Sequence, residues 1–318
     1  MNTTPPIIGV YLSPTLDLDA IYGETLRENA KDVILLHPDE VKAPEEVRFA
    51  ICWLPDPQAF APYPNLGLAM SIGAGVNDLL AHPYLKEDVA IARIRDPHQA
   101  DLMAGFVAHE ILNRERGFDD MMNNARTRQW LPLAMRAPAM VQVAVLGHGT
   151  MGRAVVRGLS ALGFQVRVAC RSEPNEPLSG VSYHTGSGSI LSAADGADYL
   201  VNVLPLTVET ENILNVGLFT QLNKGAWLIQ IGRGEHLVEA DLTTAINEGI
   251  LSGATLDVFR QEPLPAEHPF WSEPKLRITP HIASDSLPET VSAQVIETAR
   301  ALRSGQPLDL AINRKRGY

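Results

Sequence analysis

The chain has 318 residues, of which 45% are hydrophobic and 20% charged, values ordinary for a globular protein with two domains. Its formal net charge of −11 disfavours a nucleic-acid or anionic-membrane surface as a partner. Cys52 and Cys170, the two cysteines, build no disulfide framework and suit no zinc site, so no metal is predicted. No signal peptide or membrane span is predicted, and we expect a cytoplasmic protein.

Short apolar runs separated by turn residues fill the first part of the chain, the pattern expected of buried strands. We predict strands at residues 7–12, 32–36, 49–54 and 68–72. The fourth run ends in a glycine-rich turn made of Gly73, Ala74, Gly75 and Val76. Glycines permit a strained turn and close approach, so we favour an anion-binding role for its backbone N–H groups over an ordinary strand–helix turn.

A second series of strands and helices begins at residue 141. Predicted strands cover 141–146, 165–169, 199–204, 226–231, 254–258 and 277–279, and predicted helices cover 100–115, 151–162 and 286–303. Strands that alternate with helices predict right-handed crossovers and parallel sheets, that is, an α/β fold. Residues 172–190, the stretch richest in Ser, Pro and Gly, are predicted to form a surface loop.

A glycine-rich motif joins strand 141–146 to helix 151–162 and fits the pattern G-x-G-x-x-G. Its first glycine permits a tight turn, its second lets the backbone approach a pyrophosphate, and its third allows close helix–strand packing. The helix N-terminus then offers N–H groups to the phosphates. A strand before it and a helix after it favour a dinucleotide site over a ligand-free turn. The motif consists of Gly147, His148, Gly149, Thr150, Met151 and Gly152.

The next strand, 165–169, predicts which nicotinamide cofactor is used. An NAD site normally carries Asp or Glu at the tip of this strand, where it binds the ribose 2′-OH. Here Cys170, Arg171 and Ser172 follow the strand instead. A guanidinium can hold a 2′-phosphate bidentately, so we predict NADP(H) as the preferred cofactor, with NAD(H) possible. Alternatively Arg171 is a solvated loop residue, or Glu173 folds back to the ribose.

Three polar residues follow apolar runs in the second half of the chain: Arg233, Glu262 and His281. Each stands where a run gives way to Gly or Pro. Buried parallel strands that end in polar residues place them at the carboxyl edge of the sheet, where ligands of open α/β sheets bind. A cation, a carboxylate and an imidazole that converge there would suit chemistry on a carbonyl acid.

These motifs resemble those of the D-isomer-specific 2-hydroxyacid dehydrogenases, and within that family the short bacterial glyoxylate/hydroxypyruvate reductases of the A type. The resemblance covers nearly the whole chain. It implies two doubly wound parallel-sheet domains, a Rossmann nucleotide domain (100–285) inserted into a flavodoxin-like substrate domain (1–99 and 286–318), with the active site in the cleft between them. The segments that carry it are 204–207 with Thr210, 232–234, 256–259, 262–265, 279–283 and the final Arg316-Gly317-Tyr318.

The resemblance implies reduction of small 2-oxo acids, glyoxylate to glycolate and hydroxypyruvate to D-glycerate, and the residues after strand 165–169 favour NADPH as the hydride donor. His281 is the expected proton donor, because histidine exchanges protons near neutral pH. Glu262 is expected to fix the tautomer of His281 and favour its charged form. Arg233 is expected to bind the substrate carboxylate and polarise the carbonyl. Alternatively, each residue has only a structural role. His281 is then a capping or packing histidine, Glu262 a solvated loop carboxylate and Arg233 a surface loop arginine.

Further residues receive binding roles from the same resemblance. Asp257 is expected to meet the nicotinamide carboxamide, unless it makes only a structural hydrogen bond at its strand end. Additional cofactor contacts are expected from Leu204, Pro205, Thr210, Ile231 and Gly232, next to the glycine motif, Arg171 and Ser172. The substrate is expected to meet Trp53, Gly73, Ala74, Gly75, Val76, Arg233 and His281, with Trp130 contributed by a partner subunit of a homodimer.

Other functions stay open at this stage. One is a dehydrogenase for a different 2-hydroxy acid that uses NAD(H). Another is a non-enzymatic, nucleotide-sensing corepressor-like protein, since some proteins of this fold keep the same three residues. Such proteins tend to carry disordered extensions, which this sequence does not suggest.

Overall fold

The computed structural model describes residues 5–314, so the Arg316-Gly317-Tyr318 motif lies outside the described residues. The strands are β1 (Ile7–Leu12), β2 (Val33–Leu36), β3 (Val47–Cys52), β4 (Leu68–Ser71), β5 (Ala90–Arg93), β6 (Gln142–Leu146), β7 (Gln165–Ala169), β8 (Val181–His184), β9 (Tyr199–Asn202), β10 (Ala226–Gln230), β11 (Leu251–Leu256) and β12 (Leu276–Ile278). The α-helices are α1 (Leu18–Asn29), α2 (Asn77–Leu80), α3 (Pro97–Arg116), α4 (Phe118–Arg126), α5 (Thr150–Ala161), α6 (Ser189–Ala194), α7 (Val216–Phe219), α8 (Glu239–Asn247) and α9 (Pro288–Ser304).

The chain divides into two compact units. It leaves the first unit at His98 and returns to it at Asp285, and the second unit is Gln99–Ser284. The first unit holds a parallel sheet in the order β2-β1-β3-β4-β5. This is the flavodoxin-like order, in which the chain reverses direction across the sheet beside β1. Helices α1 and α9 pack against each other, and apolar side chains fill the space on both faces of the sheet.

The second unit holds a seven-stranded parallel sheet in the order β12-β11-β10-β9-β6-β7-β8. Counted from β6, this is the Rossmann order with one more strand at the β12 edge. Its central strands are buried on both faces, which explains their nearly continuous apolar sequences. The two sheets confirm the predicted α/β class with two doubly wound parallel sheets.

Two strands, β5 and β8, and six helices lie where none was predicted; the helices are α1, α2, α4, α6, α7 and α8. Strand β8 crosses the stretch predicted to be a surface loop, and that prediction was wrong. It pairs with β7 at the edge of the sheet and is only partly buried, so its composition resembles that of a loop. Strand β5 is a short edge strand beside β4. Helix α1 begins after Asp17, whose carboxylate accepts a hydrogen bond from the Ala20 N–H at 3.0 Å.

None of the described helices is long and apolar enough to span a lipid bilayer. Within residues 5–314, no three His, Cys, Asp or Glu side chains converge in a way that could hold a metal ion.

A carboxylate with two arginine partners fastens α9 to the start of β2. Arg300 binds both oxygens of Asp32, at 2.6 and 3.0 Å, and Arg303 binds one of them at 2.7 Å. The hydrogen bond from Arg300, followed by that from Arg303, holds the pKa of Asp32 well below its ordinary value. A lowered carboxyl pKa stabilises the fold above the pKa of the unfolded chain, near 4, and this stabilisation is lost as the pH falls.

We therefore expect Asp32→Asn to lower the midpoint of thermal unfolding at pH 7 by about 2–4 °C, a small effect because the cluster is partly solvated. The difference from the wild type should shrink as the pH falls below about 4, where Asp32 of the unfolded chain becomes protonated while the folded protein still holds the ionised form. Calorimetry across pH measures both effects, with exposed Asp39→Asn as the control. A difference that stays constant down to pH 3 would contradict the ion-pair explanation.

Candidate active site

The glycine motif forms the turn between β6 and α5. Gly147 has a φ of 107°, a backbone conformation that favours glycine. A Cβ on Gly152 would lie 2.2 Å from the Gly147 oxygen, so the helix can approach the strand only without a side chain there. A Cβ on Gly149 would meet no atom within 4 Å, which leaves open space next to the backbone. The turn thus has the local shape that a pyrophosphate group needs.

The tip of β7 lies next in the sheet and carries no carboxylate. Arg171 and Ser172 are exposed there, and Cys170 is buried. The charge of Arg171 reaches Glu209, whose pKa is lowered mainly by a hydrogen bond from Thr207 and to a lesser degree by Arg171. An arginine at a strand tip whose residues 170–172 include no Asp or Glu suits a ribose that carries a 2′-phosphate.

His148 of the glycine motif packs edge-on against Tyr183 of β8, with 5.2 Å between the ring centroids. Burial, and then the nearby Arg153, lower the pKa of His148 below its ordinary value. The imidazole is therefore mainly neutral at pH 7 and offers an aromatic surface rather than a charge beside the motif.

A cluster of buried polar side chains supports the segment that contains Arg233. Asn202, Gln230 and His236 are fully buried. Asn202 donates to the Gln230 Oε1 at 2.8 Å, and Gln230 in turn donates to the backbone oxygen of Arg233 at 2.7 Å. The Arg233 N–H donates to Nδ1 of His236 at 3.0 Å. These bonds fix the backbone on both sides of the arginine.

His236 acts in this cluster as a neutral ring. Burial is the main cause that lowers its pKa to about 4. Because Nδ1 accepts from Asn202 and from the Arg233 backbone, the proton lies on Nε2, which donates to the Pro205 oxygen at 3.3 Å. Sequence reasoning missed Asn202, Gln230 and His236; the available signal was a polar residue inside or next to an otherwise apolar buried strand.

The Arg233 side chain is half-buried, and its Nη1 donates to the Gly232 oxygen at 2.7 Å. A Cβ on Gly234 would lie 1.9 Å from the carbonyl carbon of Phe259, so this segment packs directly on the one that leads to Glu262. The Arg233 charge also helps to lower the pKa of Glu262. The predicted cation and carboxylate are therefore neighbours.

Glu262 and His281 form a hydrogen-bonded pair. Nδ1 of His281 lies 2.7 Å from Oε2 of Glu262, and the other carboxylate oxygen accepts from the Phe259 N–H at 2.9 Å. Burial by itself raises the pKa of Glu262, but the bond from His281, that from Phe259 and the Arg233 charge outweigh it, and the pKa lies below its ordinary value. An ionised Glu262 places the Nδ1 proton of His281 between them, so Nε2 is the atom that would exchange a proton with a substrate.

Asp257 holds the backbone segment that carries His281. Its carboxylate accepts from the Thr279 hydroxyl at 2.6 Å, from the Ile282 N–H at 2.8 Å and from the Ala283 N–H at 2.9 Å. Burial raises its pKa above the ordinary value, although these bonds oppose the shift. They match the structural alternative for Asp257, and its contact with a nicotinamide stays a prediction.

The remaining cofactor candidates of the second unit follow the carboxyl ends of β9 and β10. The Leu204 N–H donates to the Asn202 side chain at 3.3 Å. The Thr210 hydroxyl donates to the Pro205 oxygen at 2.7 Å and accepts from the Thr207 N–H at 2.8 Å. Thr210 therefore closes this loop on itself. Ile231 and Gly232 are buried at the carboxyl end of β10, next to Arg233.

The substrate candidates of the first unit cluster around the turn after β4. The Gly73 N–H donates to the Ser71 hydroxyl at 3.2 Å. A Cβ on Gly73 would lie 3.0 Å from the Trp53 ring, so the indole covers this turn. Trp130 belongs to the second unit, where its side chain is 98% exposed.

The chain is similar to known proteins in both sequence and structure. The family described as "D-isomer specific 2-hydroxyacid dehydrogenase, NAD binding domain" matches residues 108–283. Glyoxylate/hydroxypyruvate reductase A of Yersinia enterocolitica is 37% identical over 276 residues, which cover 85% of this chain and 87% of that protein. The protein of the same name from Serratia proteamaculans is 38% identical over 263 residues, covering 81% and 83%.

Solved structures agree with these relatives. The NADPH-dependent glyoxylate/hydroxypyruvate reductase of Sinorhizobium meliloti, in complex with NADP and sulfate, superposes with a TM-score of 0.87 at 29% identity, covering 99% of this chain and all of that one (100%). A D-isomer specific 2-hydroxyacid dehydrogenase of Xanthobacter autotrophicus, in complex with NADPH and MES, gives a TM-score of 0.86 at 33% identity, covering 98% and 100%. With its nucleotide motif, its Glu262–His281 pair and these relatives, the chain belongs to the family of D-isomer-specific 2-hydroxyacid dehydrogenases, as its motifs predicted.

Proposed function

We propose that this chain reduces small 2-oxo acids, foremost glyoxylate and hydroxypyruvate, with NADPH. The observation that carries the proposal is the hydrogen-bonded Glu262–His281 pair beside Arg233, in the unit that also contains the glycine motif. The relatives named glyoxylate/hydroxypyruvate reductase A support the choice of substrates. In this proposal the first unit is the substrate domain and the second unit is the nucleotide domain.

The residues of the second unit fit NADP(H). Gly149 leaves open space next to the backbone, and Gly152 lets α5 pack against β6. Arg171 and Ser172 stand where an NAD site carries an acid. The predicted preference for NADP(H) agrees with the relatives solved with NADP or NADPH. When bound, this cofactor supplies the hydride that reduces the C2 carbonyl carbon of the acid.

His281 provides the proton in this proposal. Glu262 holds Nδ1 at 2.7 Å and so directs Nε2 towards the substrate oxygen. In the reverse direction the same ring nitrogen accepts a proton from the hydroxy acid, which a histidine can do near neutral pH.

Arg233 binds the substrate carboxylate and draws electron density from the C2 carbonyl. A guanidinium presents several donors in one plane, so it can serve both oxygens from one position. The buried cluster below it holds the backbone of Arg233 in place, and the bond to Gly232 orients the side chain. In the first unit, the backbone N–H groups of residues 73–76 bind the carboxylate as well, and Trp53 covers that turn.

We propose in addition that the protein is a cytoplasmic homodimer. Residues 118–140 of the second unit expose apolar side chains, and α4 within them buries none. Arg136 anchors the end of this segment through ion pairs with Glu115 at 2.6 Å and Asp198 at 3.1 Å. An exposed apolar segment held in a fixed place suits burial against a second copy, to which Trp130 would contribute a wall of the substrate pocket. The exposed side chains are Phe118, Met122, Trp130, Leu131, Met135 and Met140.

The proposed reaction is tested by measuring oxidation of NADPH and of NADH with glyoxylate, hydroxypyruvate, pyruvate and oxaloacetate. We expect turnover with the first two acids and at least a tenfold higher kcat/KM with NADPH than with NADH, because Arg171 can bind the 2′-phosphate. Arg171→Ala should reduce that preference. A tenfold preference for NADH would contradict the cofactor proposal, and tight NADPH binding without turnover of any 2-oxo acid would favour a nucleotide sensor.

We expect His281→Ala to lower kcat by about 10²–10⁴, the range for a lost general acid. Glu262→Gln should lower kcat by less, because the ring remains but its negative partner is lost. Dissociation constants for NADPH, measured by fluorescence, should stay within twofold of the wild type in both variants. Exposed His109→Ala serves as the control. Near-wild-type turnover by a folded His281→Ala enzyme would rule out His281 as the proton donor.

We expect the double variant Leu131→Asp/Met135→Asp to shift the protein from a dimer towards a 34.6-kDa monomer, because two charges would have to be buried in the interface. Light scattering coupled to gel filtration measures the mass. Leu191→Asp changes another half-exposed apolar residue of the same unit and should leave the mass unchanged. A wild-type protein that is monomeric at micromolar concentration would contradict the dimer.

A further inference from the structure

Arg93 is a half-buried arginine at the end of β5 for which the mechanism above has no role. It forms no ion pair with any residue from 5 to 314, and its Nε is buried without a hydrogen-bond acceptor in that part of the chain. Burial, and then the nearby Arg95, lower its pKa below the ordinary value. A half-buried cation without an anionic partner is costly to the fold, and a bound anion would offset part of that cost.

The side chain of Arg93 holds the glycine turn after β4. Its Nη1 donates to the Ala74 oxygen at 3.0 Å. Arg93 and Ser71 are register partners at the ends of β5 and β4, so their side chains leave the sheet on the same face. The Ser71 hydroxyl accepts from the Gly73 N–H. Side chains at the ends of two adjacent strands therefore hold two consecutive residues of the turn, Gly73 and Ala74.

The hydrogen bond from Arg93 sets the direction in which the Gly75 N–H points. The peptide bond between Ala74 and Gly75 is trans, and in a trans peptide the N–H points opposite to the C=O. Because Arg93 binds the Ala74 oxygen, the Gly75 N–H points away from Arg93. Among residues 5–314, no protein group accepts a hydrogen bond from the N–H of Ala74 or Gly75. Such donors are available to an anion.

We propose that Arg93 is a positioning residue for the substrate carboxylate: it aims the Gly75 N–H through the Ala74 carbonyl and adds positive charge behind the turn. The inference rests on the proposed function, in which the carboxylate of a 2-oxo acid binds residues 73–76. Arg93 itself does not touch the reacting atoms. It acts on how tightly the acid binds, through a donor that belongs to another residue.

Kinetics of three variants with glyoxylate and NADPH test this role. Arg93→Met removes the charge and the bond to Ala74 with little loss of side-chain volume. We expect its KM for glyoxylate to rise about tenfold to a hundredfold, the size of a lost charge-assisted interaction, with a smaller change in kcat. Arg93→Lys keeps the charge and should recover part of the KM. Arg48→Met removes an exposed arginine of the same sheet and should change neither constant.

A second measurement does not depend on turnover. Amide hydrogen exchange at Gly73, whose N–H is bonded to Ser71 within this turn, should be faster in Arg93→Met than in the wild type and close to wild type in Arg48→Met, because Arg93 holds the turn and Arg48 does not. Faster exchange together with a raised KM supports the proposal. Unchanged exchange, or a KM within twofold of wild type in Arg93→Met, overturns it.

The experiments distinguish an incorrect proposed function from an incorrect role of Arg93. If the wild type reduces no 2-oxo acid, the function is wrong, while the exchange experiment still shows whether Arg93 holds the turn. If Arg93→Met does not fold, the exchange and KM of Arg93→Lys decide, because lysine cannot reproduce the planar geometry of the guanidinium at Ala74. A KM for Arg93→Lys equal to that of the wild type, with unchanged exchange, then overturns the proposal.

Discussion

The buried carboxylate of Asp257 makes the hydrogen bonds on which the geometry of the Glu262–His281 pair depends. It receives hydrogen bonds from the Thr279 hydroxyl and from two successive backbone N–H groups. Between these donors the backbone of His281 adopts a φ of 55°, a left-handed conformation that costs a residue other than glycine about 1–3 kcal/mol. The hydrogen bonds to Asp257 keep the segment in this conformation, which brings the imidazole to Glu262. Without these hydrogen bonds the segment would relax to another backbone conformation. The His281 imidazole would then move away from Glu262, although both side chains would still be present.

In the same unit, a cluster of uncharged side chains holds the backbone at Arg233, as Asp257 holds the backbone at His281. His236 is uncharged because of burial, so it can accept from the Arg233 backbone without adding a second positive charge beside the guanidinium. Burial disfavours the ionised form of Asp257, whereas Asn202 and Gln230 carry no charge at any pH. We infer that backbone near the cation is held by neutral groups, and backbone near the imidazole by a carboxylate.

The sequence predicted the elements whose signal is local. Strand β1 was predicted to the residue, and the glycine motif was placed between its strand and helix, because apolar runs and glycines reflect the immediate backbone. Strand β8 was missed because its pairing with β7, and not its composition, makes it a strand. The roles of Asn202, Gln230 and Arg93 depend on partners distant in sequence or on neighbouring strands. A single sequence shows that these residues are polar but not what they bind.

Local charge and net charge oppose each other in this protein. A chain with a net charge of −11 repels anions at long range, yet both the proposed acid and NADPH are anionic. In the proposed function, positive groups lie where these anions would bind: Arg171 at the tip of β7, the first turn of α5 at the glycine motif and Arg233 after β10. Arg93 is the counterpart in the first unit, although it acts through a peptide group. Since screening by salt weakens long-range repulsion more than short-range contacts, we infer that the local placement of these cations, and not the overall charge, decides which anions the protein can bind.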